Sequence, residues 1–272
     1  MNIFRCPLCG SVLDGEKTLK CENNHCFDRA KSGYVNLLSG KGKNHGDPKE
    51  MVLSRRNFLD KDYYLPLAQK ISTLCFDYTP ENSVILDAGC GECYYTHNIY
   101  KEFLQKGKNA LFCGIDVSKD AVNYGAKRFP QCCLATASVY AMPIADNSVD
   151  TVINIFSPLA TKEYLRVLKN NGIFIMAIGG QDHLWSLKKA VYDTPYKNEP
   201  SDYTLNGFEL IKKEVLRYET ELCSNEDIMS LFSMTPYYHK TAQKDIEKLK
   251  KLDTLSTEIE FEILCYKVNS PF

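Results

Sequence analysis

The chain has 272 residues, of which 44% are hydrophobic and 25% are charged, so it can bury a core in two domains or in one domain with an appendage. Its net charge of −1 argues against a uniformly basic nucleic-acid binder, although residues 1–56 carry ten Lys and Arg against six Asp and Glu. The sequence lacks an apolar run that could cross a bilayer and an apolar signal segment. We therefore expect a soluble, cytoplasmic protein with reduced thiols and no membrane partner.

The N-terminal segment contains two short pairs of metal-binding residue types. Cys6 and Cys9 have C-x2-C spacing, and after eleven further residues Cys21 and His25 form a second pair. Four Cys or His ligands on two such pairs can surround a zinc ion tetrahedrally. Cys26 is a softer donor than His25 and lies next to it, so the spacing alone leaves the fourth ligand open. We predict a structural zinc site in this segment.

A change of composition follows the metal-binding segment. Residues 40–50, with the sequence GKGKNHGDPKE, are rich in Gly, Lys and Asn, which indicates an exposed linker. From Met51 onward, apolar residues recur at intervals of three and four, which predicts a helix at the entry to a second domain. We predict a zinc-binding module over residues 1–38, a linker over 39–50 and a larger domain over 51–272.

The larger domain opens with a strand, a glycine loop and a helix. Residues 84–86 predict a buried parallel strand, Gly89 and Gly91 a tight loop, and Tyr94 the start of a helix. Glycines allow backbone amides to approach a nucleotide-type ligand at a helix N-terminus. Tyr94 occupies the position of the third glycine in the dinucleotide fingerprint, which disfavours a nicotinamide dehydrogenase. With Asp87 before the glycines, the stretch instead resembles the first motif of class I S-adenosylmethionine-dependent methyltransferases.

Later segments follow the same resemblance in order. A second predicted strand ends at Asp116, where a carboxylate can accept hydrogen bonds from both ribose hydroxyls. Ala137 and Ser138 resemble the adenine-side loop of class I methyltransferases, and the motifs continue to residue 180. The resemblance implies an α/β, Rossmann-like, doubly wound fold. Its mostly parallel, seven-stranded sheet would end in an antiparallel hairpin.

Two acceptor motifs of methyltransferases are missing after the predicted fourth strand. Residues 154–158 read NIFSP, where enzymes that methylate exocyclic amines carry N/D-P-P-Y/F, and the Pro-Cys pair of cytosine-C5 enzymes is also missing there. The sequence therefore argues against methylation of an exocyclic amine and of cytosine C5. A ring nitrogen, a 2′-hydroxyl or a small molecule stays open as the methyl acceptor.

Together, the motifs resemble one family over essentially the whole chain. A zinc ribbon is followed by FDRAKSGYVNLL at 27–38, RRNFLD at 55–60 and LDAGCGECYYT at 86–96. This series is similar to the bacterial large-subunit rRNA guanine-N1 methyltransferases. The resemblance implies methylation of guanine N1 in a hairpin loop of 23S rRNA, with S-adenosylmethionine as donor and a possible homodimer. The alternative is a methyltransferase that acts on a small molecule or another RNA.

The resemblance also implies roles for individual residues. It favours His25 over Cys26 as the fourth zinc ligand. A departure at Cys93, where the family usually has glycine, would crowd the loop if the φ angle there were positive. No catalytic base can be assigned from the sequence. The predicted zinc ligands are Cys6, Cys9, Cys21 and His25, and the predicted cofactor-binding residues are Tyr64, Asp87, Gly89, Gly91, Glu92, Asp116, Ser138 and His183.

Overall fold

The structure, a computed structural model, describes residues 3–38 and 46–269, so residues 39–45 of the predicted linker lie outside it. The described strands are β1 (Thr18–Lys20), β2 (Cys26–Asp28), β3 (Val35–Asn36), β4 (Ser83–Ala88), β5 (Ala110–Asp116), β6 (Cys133–Thr136), β7 (Val149–Ile155), β8 (Leu168–Gly179), β9 (Phe208–Leu222) and β10 (Leu255–Val268). The described helices are α1 (Lys49–Leu59), α2 (Leu65–Tyr78), α3 (Tyr94–Gln105), α4 (Lys119–Arg128), α5 (Thr161–Val167), α6 (Trp185–Val191), α7 (Asn225–Ser233) and α8 (Gln243–Leu249). None of these helices is long and apolar enough to cross a membrane.

The main sheet of the described residues has the strand order β3-β6-β5-β4-β7-β8-β10-β9. Strands β4 to β8 pair in parallel, and β10 pairs antiparallel with both β8 and β9. The predicted seven-stranded sheet with its antiparallel hairpin is therefore present. An eighth strand, β3, comes from the N-terminal segment and pairs in parallel with β6.

Both faces of the sheet are buried. Because side chains alternate along a strand, Ile85 of β4 packs in one apolar cluster and Leu86 packs in another. The first cluster includes Ile71 of α2 and Ile99 of α3, which cover that face of the sheet. Fully burying an aliphatic side chain contributes about 1.5–3 kcal/mol, so these two layers account for much of the stabilisation of the domain.

The N-terminal module shares its core with the main sheet. Strands β1 and β2 form a small antiparallel ribbon. Phe4, Leu13 and Leu19 of this module are fully buried and belong to the same apolar cluster as Leu86. Phe4 also forms a β-bridge with Ile144. Packing therefore connects residues 3–38 to the larger domain, and the boundary at residue 38 stays a prediction from the sequence.

The direction of chain progression reverses at β4. From this central strand the sheet continues to β5 and β6 on one side and to β7 and β8 on the other. Ligands of open α/β sheets bind outside the carboxyl ends of the strands at such a switch point. The loops that follow these five strands therefore line the crevice in which a ligand is expected.

Candidate functional site

Metal-binding residue types converge in the N-terminal module. The ligand atoms of Cys6, Cys9, Cys21 and His25 all lie within 4.8 Å of one another. Nδ1 of His25 is 3.4 Å from the Sγ atoms of Cys6 and Cys21, and the Cys9 and Cys21 sulfurs are 3.7 Å apart. Tetrahedral zinc, with bonds of about 2.3 Å to sulfur and about 2.0 Å to nitrogen, requires ligand separations of about 3.5–3.8 Å. The four side chains therefore fit zinc in number, chemistry and spacing.

Two tight turns of the backbone bring the four ligands together. In the first turn the Gly10 N–H donates to the Cys6 carbonyl over 2.8 Å, with Gly10 at φ +76, which glycine adopts at little cost. In the second turn the Asn24 N–H donates to the Cys21 carbonyl over 2.9 Å, with Asn24 at φ +61. Asparagine tolerates this left-handed conformation better than most residues. The sequence thus supplies a suitable residue at each turn.

The structure gathers His25, and not Cys26, with the three cysteines. Cys26 is exposed, and its Sγ donates to the Asn24 carbonyl over 3.3 Å. Hydrogen bonds to Cys9, of which the one from the Asn23 side chain has the largest effect, lower the pKa of this thiol to about 5. That thiol is therefore a thiolate near neutral pH, which is the form that binds metal.

The glycine loop after β4 packs closely against its neighbours. Gly89 and Gly91 have left-handed backbones, with φ angles of +95° and +51°. A Cβ on Gly89 would lie 2.0 Å from Oγ of Ser157, so the close approach of the loop after β7 requires glycine. At the end of β5, Oδ2 of Asp116 accepts from the Gly91 N–H over 3.0 Å, and its Oδ1 accepts from the Ser118 N–H over 2.7 Å. The structure therefore brings Gly89, Gly91 and Asp116 together.

Cys93 has a left-handed backbone conformation, which glycine adopts more readily than other residues. Its φ angle is +64°, and it precedes the first residue of α3. A non-glycine residue in this region costs roughly 1–2 kcal/mol. The facing helix α4 carries Gly125, where a Cβ would lie 2.8 Å from Sγ of Cys93. The missing side chain at Gly125 leaves the space that the thiol of Cys93 occupies.

Asp87, near the end of β4, is buried, with 2% of its surface exposed. Its Oδ2 accepts from Oγ1 of Thr96 over 2.5 Å, which links the end of β4 to the first turn of α3. Burial raises the pKa of Asp87 to about 7. The carboxylate is thus placed to hold the loop on its helix.

We expect Asp87→Asn to reduce the pH dependence of stability of the cofactor-free protein. The folded pKa of about 7 exceeds the ordinary value of 3.8, so the folded state holds a proton that the unfolded state releases. Stability therefore falls as the pH rises between these two values, by about 2–3 kcal/mol from about pH 5 to about pH 8. Urea unfolding at both pH values should show a smaller loss for the variant; equal losses would contradict the assignment.

Glu92 is a buried carboxylate, with 3% of its surface exposed. Its Oε2 accepts from Nη2 and Nε of Arg128, at 2.9 and 3.2 Å, and Arg128 also bonds Asp60 over 2.6 Å. Burial raises the pKa of Glu92 to about 7 despite the guanidinium of Arg128, which lowers it. Among the described residues, none offers a hydrogen bond to Oε1 of Glu92. That oxygen is a buried acceptor suited to a donor on a ligand.

Tyr64 and His183 come together although 119 positions separate them in the sequence. Both rings pack against Phe261 of β10, with centroid distances of 4.9 Å for Tyr64 and 4.6 Å for His183. Nδ1 of His183 accepts from the Glu260 N–H over 3.3 Å. Burial lowers the pKa of His183 to about 3, so the imidazole is neutral at physiological pH. The pair forms an uncharged, largely aromatic wall.

A cavity of about 240 Å³ opens at the carboxyl ends of β5 and β6. Val117, Ser118 and Thr136 line it from the sheet, while Asn36 and Leu38 line it from the N-terminal segment. Oγ1 of Thr136 donates to Oδ1 of Asn36 over 2.6 Å. The contribution of the N-terminal segment was not predicted, because only the pairing of β3 with β6 brings it to this cavity.

Ser138 lies two residues beyond Thr136, which lines this cavity. Oγ of Ser138 accepts from the Tyr140 N–H over 3.2 Å, and its carbonyl accepts from the Ala141 N–H over 3.2 Å. The predicted adenine-side residue thus forms part of a short turn next to the cavity.

Comparison with known proteins matches both parts of the chain. The family described as RlmA, N-terminal, a zinc ribbon, matches residues 4–45, and the family described as methyltransferase domain matches residues 80–233. YxjB of Bacillus subtilis (strain 168), provisionally named a 23S rRNA (guanine-N1)-methyltransferase, is 32% identical and covers 97% of this chain and 96% of its own. The chain belongs to the 23S rRNA (guanine-N1)-methyltransferase family. The predicted cofactors of this family, S-adenosylmethionine and zinc, are confirmed by the two family matches and the metal cluster.

Two further comparisons support the family and the fold, respectively. The 23S rRNA (guanine(748)-N1)-methyltransferase of Streptomyces fradiae is 32% identical, over 69% of this chain and 67% of its own. A crystal structure from Bacillus halodurans C-125, provisionally titled a methyltransferase, has a TM-score of 0.50 at 14% identity. It covers 76% of this chain and 99% of its own, which supports the predicted fold.

Proposed function

We propose that the chain transfers the methyl group of S-adenosylmethionine to N1 of a guanine in a hairpin loop of 23S rRNA. The observation that carries this proposal is the match to YxjB over 97% of the chain, which includes both the metal cluster and the methyltransferase sheet. For a small-molecule acceptor, the N-terminal module would serve only to complete the sheet and the cavity beside β5 and β6. The proposed substrate places the protein in the cytoplasm.

The groups around the glycine loop complement the polar parts of the cofactor. The carboxylate of Asp116 offers acceptors for the ribose hydroxyls, beside the backbone of Gly89 and Gly91. The free Oε1 of Glu92 offers an acceptor for the ammonium group of the methionine part. Asp87 is assigned to holding the loop from beneath, since its carboxylate is buried against Thr96.

The remaining groups suit the apolar parts of the cofactor. Ser138 and the neighbouring cavity are assigned to the adenine side, at the ends of β5 and β6. Tyr64 and His183 are assigned to the side of the reacting methyl group, where their neutral rings exclude water. When bound, the cofactor supplies an electrophilic methyl group on a sulfonium sulfur.

The reaction requires guanine N1 to lose a proton, because N1 is protonated near neutral pH. Transfer of the methyl group to N1 would break the carbon–sulfur bond of the donor, and the electron pair of that bond would stay on the sulfur. The N1 proton is released to solvent. A His183 side chain with a pKa of about 3 is a weak base, so we assign it a role in binding and not in proton removal. Alignment in a dry crevice supplies the main rate acceleration.

The N-terminal module is assigned to holding the RNA. Guanine N1 lies on the Watson–Crick edge, so the enzyme needs an unpaired or extruded base, and a hairpin loop offers one. The module packs directly beside the cofactor crevice through β3, which keeps RNA bound there within reach of the methyl group. The family resemblance also predicts a homodimer, which light scattering on the purified protein would test.

Reverse transcription of ribosomal RNA tests the proposed product. Methylation at N1 removes the donor that pairs with cytosine, so reverse transcriptase should halt one nucleotide before the modified guanine. In a strain that lacks the gene, one strong stop in 23S rRNA should vanish, and the wild-type gene should restore it. The Streptomyces fradiae relative is named for guanine 748, and we expect the stop around that guanine.

Two variants serve as controls in the same strain. Cys21→Ser should not restore the stop if the reaction requires the folded metal module, and Asp116→Ala should not restore it if the cofactor site is assigned correctly. Identical stops with and without the gene, in cells that express it, would refute the proposed substrate. That result would favour the small molecule or another RNA as acceptor.

A further inference from the structure

The loop after β7 is held rigidly from inside the fold. Nδ2 of the buried Asn154 donates to the Pro158 carbonyl over 3.0 Å and to Oη of Tyr164 over 2.7 Å. Oη of Tyr164 in turn donates to the same carbonyl over 2.9 Å. The amide of Asn154 is therefore occupied by hydrogen bonds within the protein and is not available to bind a methyl acceptor. These hydrogen bonds fix the position of residues 155–157 between their two anchored ends.

Phe156 occupies an unfavourable conformation in this loop. Its φ angle is +54°, in the left-handed region that aromatic residues rarely adopt, and 48% of its surface is exposed. The next residue, Ser157, lies against Gly89 of the glycine loop. Strained backbone of this kind persists where the surrounding structure enforces it, and it is concentrated at functional sites. The loop thus holds a large apolar ring in solvent next to the glycine loop.

Other aromatic rings support Phe156 from behind. Its ring centroid lies 5.3 Å from that of Phe261, 6.5 Å from that of Tyr64 and 6.4 Å from that of Tyr95. Tyr64 and Phe261 are buried and Tyr95 is partly buried, whereas Phe156 is half exposed. Tyr64 and His183 form the wall assigned to the reacting methyl group. Phe156 is therefore the solvent-facing member of the cluster that surrounds the reaction centre.

We propose that the exposed face of Phe156 stacks on the acceptor guanine and aligns its N1 with the methyl donor. This inference rests on the proposed function and adds the residue that selects a planar acceptor. A base extruded from RNA loses its stacking neighbours, and an aromatic side chain replaces them. The rigid loop fixes the plane of the ring, so stacking would set the height and tilt of the base in the crevice. Neither role requires a hydrogen-bonding group at position 156.

Substitutions at position 156 separate stacking from simple apolar packing. Methylation of 23S rRNA from the deletion strain would be measured with the full chain and radiolabelled donor, and cofactor affinity by calorimetry. Phe156→Ala and Phe156→Leu should both lower kcat/KM for the RNA, roughly five- to hundredfold, because both remove the aromatic face. Phe156→Tyr should retain most of the activity. Leu104→Ala, at a position 65% exposed on α3, should behave as the wild type.

A glycine at position 156 controls for misfolding. Glycine adopts a positive φ at little cost, so Phe156→Gly should fold at least as well as Phe156→Ala by thermal unfolding and yet share its loss of methylation. If the wild type methylates the RNA and the Leu and Gly variants have an undiminished kcat/KM, the stacking role of Phe156 is refuted and the proposed function stands. A loss confined to cofactor affinity would also overturn it. An inactive wild-type protein would refute the proposed function, and this inference with it.

Discussion

Cys21→Ser should remove the metal ion and disorder most of the N-terminal module. Cys21 is buried at the centre of the cluster, with its Sγ 3.4 Å from Nδ1 of His25 and 3.7 Å from Sγ of Cys9. Structural zinc contributes about 10–16 kcal/mol to the folding of small modules, so loss of one ligand has a large effect. Metal analysis should find one zinc per chain in the wild type and much less in the variant. Limited proteolysis should then cleave the variant within residues 3–38.

Cys26→Ser is the matched control for this prediction. It removes a neighbouring cysteine whose exposed thiol donates to the Asn24 carbonyl, so the variant should retain zinc and resist protease as the wild type does. Equal zinc contents in the wild type and both variants would refute the ligand assignment. Loss of zinc from Cys26→Ser as well as from Cys21→Ser would make Cys26 a ligand and contradict the assignment of His25 as the fourth.

The effect of Cys21→Ser should extend beyond the module. Phe4, Leu13 and Leu19 pack in the same core as the main sheet, and Asn36 and Leu38 line the cavity beside the cofactor loop. A disordered module therefore exposes one face of the sheet and opens this cavity. We expect a lower midpoint of thermal unfolding for the whole chain and weaker cofactor binding, both measurable on the variant used for metal analysis.

Local patterns in the sequence were sufficient to predict the order of the main elements. The glycine loop and the strand that ends at Asp116 depend on residues close together in the chain, where periodicity and turn residues are informative. The final antiparallel hairpin was predicted from the family resemblance, because residues 223–254 separate its two strands. The eighth strand was not predictable. Strand β3 has two residues, Val35 and Asn36, and it forms because the edge of β6 accepts it.

The surroundings of the carboxylates were also not predictable from sequence. Asp87 was predicted to bind the cofactor, but its depth in the fold is set by α3, which brings Thr96 over it. The partner of Glu92 is Arg128, which lies 36 positions further along the chain. Contacts of this kind depend on how helices dock on the sheet, and spacing along the chain does not encode them.

The conformation of Phe156 was likewise not predictable from the sequence. An aromatic residue at the end of a buried strand would be expected to complete the core, and the sequence offers no glycine or asparagine there to indicate a left-handed backbone. Its conformation follows from the hydrogen bonds of Asn154 and Tyr164 to Pro158 and from the closeness of Gly89 to Ser157. The role proposed for Phe156 therefore rests on the three-dimensional structure and not on a sequence pattern.

Asp116→Ala should weaken binding of S-adenosylmethionine at least about tenfold, because it removes charge-assisted hydrogen bonds of about 1.5–3 kcal/mol each. The carboxylate both anchors the Gly91 N–H and offers an acceptor to the ribose. Asp116→Asn keeps one acceptor oxygen, so its loss should be smaller. Asp77→Ala, at an exposed position near the end of α2, should leave affinity unchanged. Titration calorimetry decides between these outcomes, and equal affinities for all four proteins would place the cofactor outside the crevice between β4 and β5.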